Sequence, residues 1–164
     1  LVQGDVGSGK TVVALIAIFN VVKCGYQATL MVPTEILASQ HYEEAKKLLG
    51  PFGIHIELLT GSTSAKEKRR IKEIITTETP MVVIGTHALI QEDVDFKNLG
   101  LVVTDEQHRF GVEQRNRLIN KGRRPDVLVM TATPIPRTLA LYVYSDLDIS
   151  VIDKLPPGRK PVKT

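Results

Sequence analysis

The chain has 164 residues, of which 43% are hydrophobic and 24% charged, with a formal net charge of +3. By size it is one domain with room for a proper core, and its composition is that of an ordinary soluble globular protein. The single Cys24 excludes an internal disulfide and fits a reducing, cytoplasmic compartment, while so small a net charge does not by itself establish a nucleic-acid partner.

Leu1-Val2 reads as a strand stub, and it runs into GDVGSGKT over Gly4–Thr11. Val12 to Phe19 is then apolar without interruption, as expected of a helix buried against a sheet. The run is broken at Asn20 and is too short to span a bilayer, and no signal peptide is visible. Ala28–Val32 is a buried strand closed by Pro33. Glu35–Leu49 follows as a helix with Thr34 as its N-cap and Leu37, His41, Ala45 and Leu48 on one face. Ile54–Leu59 is a strand; Ser64 caps a helix running to Thr76, with Ile71, Ile74 and Ile75 inward. Met81–Ile84, Leu101–Val103, Val127–Met130 and Ile149–Ile152 complete the strands, with helices over Val112–Asn120 and Pro136–Tyr144. The Pro-Pro-Gly at 156–158 and its basic tail read as a linker, so residues 1–155 form the domain and 156–164 lead away from it. Strands separated by helical crossovers predict an α/β fold, a mainly parallel sheet with helices on both faces.

In such sheets ligands bind outside the carboxyl ends of the strands. Polar clusters stand where the apolar runs stop: the glycine-rich loop, Pro33-Thr34-Glu35, Thr60-Gly61, Gly85-Thr86-His87, Asp105 to His108, and Thr131 to Pro134. Six on one edge predict a single working surface.

GDVGSGKT fills the pattern G-x-x-x-x-G-K-[ST] with Gly4, Gly9, Lys10 and Thr11. A flexible loop is the plainer alternative, but a strand before it and a helix after it favour a phosphate cradle. The cradle comprises Gly4, Asp5, Val6, Gly7, Ser8, Gly9, Lys10 and Thr11. Glycine at 7 and 9 lets the backbone come close, amides 5–10 point at phosphate oxygens, and Lys10 reaches the β- and γ-phosphates. Asp105 and the Thr11 hydroxyl supply the oxygen ligands that magnesium takes, and Glu106 orients or deprotonates the attacking water. Gln107 and His108 are placed to sense the γ-phosphate, or are simply hydrogen-bonded loop residues. The substrate is then a nucleoside triphosphate with Mg2+, and the reaction hydrolysis. From Arg109 to Arg137 seven basic residues face two acidic ones, and Lys154 to Lys163 adds four more without an acid. Each stretch is either a solvated face or a phosphate-backbone footprint; Lys66 to Arg70, on a predicted helix, reads as a solvated face.

Together GDVGSGKT, VPTEILASQH (32–41), LLTGS (58–62), GTHALI (85–90), DEQHRFGVEQR (105–115) and TATPIPRTLA (131–140) resemble the motifs of superfamily 2 helicases. DEQHRFG with TATPIPRT narrows the resemblance to the RecG and Mfd group of double-stranded DNA translocases, and DLDISVIDKLPPGRKPV (146–162) is similar to the RecG branch. The resemblance implies a RecA-like P-loop fold and ATP hydrolysis driving movement on duplex and branched DNA, with remodelling of stalled forks and Holliday junctions in repair and recombination. It implies that Pro33, Thr34, Gln40, Thr60, Gly61, Gly85, Thr86 and His87 face the nucleic acid, and that Thr131, Thr133 and Arg137 couple hydrolysis to motion. It also implies a second RecA-like lobe, bearing an arginine finger, and a wedge domain, neither of which fits in 164 residues. The expectation is an excised first motor lobe, weakly active alone, with no membrane partner. An Mfd-like coupling translocase and a nucleotide-binding module without turnover are the alternatives.

Overall fold

Apolar runs too short for helices become the strands. In the computed structural model, which describes residues 2–4, 10–105, 117–122, 125–131 and 150–152, they are β1 (Val2–Gly4), β2 (Gln27–Met31), β3 (Ile56–Leu59), β4 (Met81–Gly85), β5 (Leu99–Asp105), β6 (Asp126–Thr131) and β7 (Ser150–Ile152). They form one sheet in the order β3-β4-β2-β5-β6-β1-β7. Every described pairing is parallel, so all carboxyl ends share one edge. All five residues of β2 and of β4 are buried, the pattern of strands covered on both faces.

Three helices accompany them: α1 (Lys10–Lys23), α2 (Glu35–Leu49) and α3 (Ala65–Ile75). The caps fall where the sequence puts them. Thr34 Oγ1 accepts from Leu37 N at 3.3 Å and Ser64 Oγ from Glu67 N at 3.2 Å, each satisfying an amide the first turn leaves free.

Connections from β1 to β2 and from β2 to β3 run one way along the sheet, and those from β3 to β6 run the other. Right-handed crossovers then put α1 and α2 on one face and α3 on the opposite one. The packing agrees. Ala14, Leu15, Ile18, Ala38 and Ala45 share a core with Leu30, Ile84 and Val103, while Ile71, Ile75 and Leu118 share another with Met31, Val83 and Val102. Neighbouring strand residues therefore feed opposite cores.

The apolar run of α1 packs on the sheet as expected through Ala14, Leu15 and Ile18, while Val12, Val13 and Ile16 are exposed. On α2 the inner stripe is Ala38, His41, Ala45 and Leu49, with Leu48 exposed. Small Ala38 and Ala45 let the helix lie close to the sheet, and the bulkier leucines flank that contact. Of the predicted helix Val112–Asn120, residues 117–119 are helical and Asn120 stands in the turn that follows; residues 112–116, the predicted helix Pro136–Tyr144 and the 156–164 linker lie outside the described residues.

Candidate functional site

The working edge begins where β1 ends. Gly4 is its last residue and Lys10 is the first residue of α1, so a strand precedes and a helix follows the glycine-rich segment, as a phosphate cradle needs. Asp105 closes β5. It registers with Met130 of β6, which registers with Val2 of β1. Two strand spacings separate Asp105 from Val2, about 10 Å, with Gly4 two residues further along the same edge. Gly4 and Asp105 therefore share the carboxyl edge, outside which open parallel sheets bind ligands.

Asp105 is 8% exposed. It has the parity of Leu101 and Val103, which pack with α1 and α2. His41 of α2 meets it there, Nε2 to Oδ2 at 3.7 Å, within ion-pair reach but longer than a hydrogen bond. Thr11, half-buried, stands in the first turn of α1. A buried carboxylate and a hydroxyl on the same side of the sheet are the hard oxygen donors that fit Mg2+. Asp5, Val6, Gly7, Ser8, Gly9, Glu106, Gln107, His108, Thr133 and Arg137 lie outside the described residues, and Thr131 ends β6.

The neighbouring strand ends are tied to one another. Glu35 Oε1, in the first turn of α2, accepts from Ser62 N at 3.0 Å. Thr60 N donates to Thr63 Oγ1 at 2.9 Å, and Lys68 Nζ donates to Gly61 O at 3.0 Å. Thr86 N donates to Leu59 O at 3.4 Å. Thr60 and Thr86 are buried, whereas Gly61, Ser62, His87 and Gln40 are exposed. A cross-braced base thus carries exposed polar groups along three strand ends. Gly85 is there of necessity: an added Cβ would stand 2.0 Å from the Leu59 carbonyl oxygen.

A cavity of about 710 Å³ opens at the other rim, lined by residues that include Tyr26, Asn98, Leu99 and Asp126 at the amino ends of β2, β5 and β6. It is remote from the polar groups at the carboxyl ends of the strands.

Three polar contacts go beyond what the sequence predicts. His41, on a face that reads as apolar, meets Asp105; a histidine between two small residues at helical spacing is the signal that marks it. Gln27, fully buried, donates from Nε2 to the carbonyls of Ile75, Thr77 and Thr79 and accepts from Asn98 N. Arg70 of α3 makes a bidentate pair with Glu57 of β3, 2.8 Å at each nitrogen, and His55 Nε2 lies 2.7 Å from the same carboxylate. Burial raises the Glu57 carboxyl, but the hydrogen bonds from Arg70 and His55 outweigh it and hold the group below its ordinary value.

A sequence model of the DEAD/DEAH box helicase family matches residues 1–141. The chain is 60% identical over 164 residues to the ATP-dependent DNA helicase RecG of Thermotoga maritima, all of this chain and 21% of that protein. It is 55% identical over 164 residues to RecG of Bacillus subtilis, again all of this chain and 24% of that one. A solved structure of RecG bound to a three-way DNA junction matches with a TM-score of 0.81 and 56% identity, over 98% of this chain and 21% of that chain. The helicase MrfA bound to DNA and AMPPNP matches with a TM-score of 0.70 at 19% identity, over 94% of this chain and 24% of that one, a likeness of fold alone. The chain therefore spans between a fifth and a quarter of the length of the relatives described here. No helix among the described residues is long and apolar enough to cross a membrane.

Proposed function

Because the chain belongs to the DEAD/DEAH box helicase family, we propose that it is the first RecA-like motor lobe of a longer ATP-dependent DNA helicase that remodels branched DNA. The observation that carries this reading is the convergence of Gly4, Lys10 and Asp105 on one edge of an all-parallel sheet. Similarity to RecG over the whole chain supplies the substrate class, duplex and branched DNA.

In this reading the amides of 5–10 and the α1 N-terminus cradle the triphosphate of ATP, and the Lys10 ammonium sits against the β- and γ-phosphates. Asp105 and Thr11 hold Mg2+, which when bound neutralises phosphate charge. Glu106 orients the attacking water and accepts its proton, Gln107 and His108 report the state of the γ-phosphate, and Thr131, Thr133 and Arg137 pass that state to motion. The braced strand ends from Thr34 to His87 face the nucleic-acid backbone. A second lobe across the cleft completes the site with an arginine, worth about 10³–10⁵ in turnover, and a wedge domain grips the branch point. The 164-residue lobe by itself binds nucleotide weakly and turns it over slowly. A cytoplasmic setting follows from this activity.

The test is made in the full-length protein. Glu106→Gln retains ATP binding and loses about 10²–10⁴ in DNA-stimulated hydrolysis, while Lys10→Ala loses nucleotide binding itself. Unchanged hydrolysis in both variants overturns the reading.

A further inference from the structure

The inner stripe of α2 carries one polar ring. Ala38, Ala45 and Leu49 are buried apolar residues, and His41 lies among them with its side chain 12% exposed. Its Nε2 is 3.7 Å from Asp105 Oδ2, on a side chain 11% exposed. Its Nδ1 is buried with no hydrogen-bond partner among the described residues. An aliphatic residue would fill this position without stranding a ring nitrogen, so packing alone does not account for a histidine here.

We propose that His41 is a positioning residue for the Asp105 carboxylate. Its Nε2–H holds Oδ2 and leaves Oδ1 for the magnesium shell. A closure of about 0.5 Å brings the pair to hydrogen-bond length. The neutral tautomer protonated at Nε2 and the imidazolium both supply that donor, so the role does not depend on the charge of the ring. A carboxylate free to rotate between Oδ1 and Oδ2 must be ordered when the metal arrives; one already held is not. The inference rests on the assignment of Asp105 to the metal.

The experiment uses the full-length protein and the variants His41→Ala, His41→Gln and Asp105→Asn. It measures the Mg2+ concentration that half-saturates binding of a fluorescent, non-hydrolysable ATP analogue, and the thermal midpoint without metal or nucleotide. His41→Ala raises the Mg2+ requirement by about tenfold. His41→Gln, whose amide can donate to the same oxygen, returns it to within about threefold of the parent. His41→Gln keeps the midpoint near that of the parent, whereas the space the ring leaves in His41→Ala lowers it, and His41→Ala adds nothing to the Mg2+ defect of Asp105→Asn in the double variant. A Mg2+ requirement within about twofold of the parent in His41→Ala, with a raised one in Asp105→Asn, ends the role of His41 and spares that of Asp105. No change in Asp105→Asn removes the metal assignment and the inference with it. Equal defects in both His41 variants, with lowered midpoints, reduce His41 to packing and overturn the proposal.

Discussion

Gly85→Ala tests the construction of the working edge most directly. The new Cβ would lie 2.0 Å from the Leu59 carbonyl oxygen and 3.1 Å from both the Leu59 carbonyl carbon and Leu89 Cγ. Ordinary contact begins near 3.4 Å, so β3 must retreat by roughly 1.4 Å. The nearest obstacle is backbone and cannot swing aside. Gly85 pairs with Leu59 on one side and Met31 on the other, and the Thr86 N to Leu59 O bond depends on that spacing. Overpacking plus one or two weakened ladder bonds gives a loss of about 3 kcal/mol. For a domain of this size that lowers the thermal midpoint by about 6–12 °C. Far-UV circular dichroism gives the midpoint, and amide exchange at Leu59 and Thr86 locates the damage. Gly50→Ala is the control. Gly50 has helical angles, φ −55° and ψ −42°, with nothing within 4 Å of a built Cβ, so it is neutral or gains about 0.5 kcal/mol. A Gly85→Ala midpoint within about 2 °C of the parent would refute the argument from close approach.

Other outcomes follow from the buried polar groups. Gln27→Leu strands the carbonyls of Ile75, Thr77 and Thr79 and the amide of Asn98, and costs about 3 kcal/mol in chemical denaturation. Thr29→Val removes a buried hydroxyl with no partner among the described residues and stabilises by about 1 kcal/mol in the same assay. Glu57 is held below its ordinary value of 4.5, so its contribution is full above that value and is lost as pH falls through the folded one. Glu57→Gln therefore flattens the stability profile below about pH 5, and an unchanged acid slope would count against this pair.

Much of this fold can be read along the chain because its signals are local. Seven apolar runs give seven strands, Thr34 and Ser64 cap where an amide three residues on needs an acceptor, and polar residues after each strand mark the edge that parallel pairing gathers. Strand order is not local: β2 lies between β4 and β5 through crossover handedness and packing. Contacts across long separations escape for the same reason. Gln27 reaches carbonyls 48 to 52 residues away. His41 meets Asp105 only because α2 turns its alanines inward, a rotation decided by fit to the sheet rather than by the hydrophobicity of Leu37 and Leu48. The candidate site divides similarly: GDVGSGKT and Asp105 announce themselves by type and spacing, whereas the group facing Asp105 comes from another helix.

Among the described residues β3 ends the sheet and has a strand partner on one side only. The open rim of such a strand is a template for a foreign strand, and inward-pointing charge is one way proteins blunt it. Glu57 sits mid-strand on the face that α3 covers, clasped by Arg70, so a strand added along this rim would meet an ion pair rather than an aliphatic row. The clasp that fastens α3 thus also guards the lobe against polymerising through its margin. Replacing both residues with aliphatic ones would leave an unbroken sticky border, and growing turbidity with concentration would be its first sign.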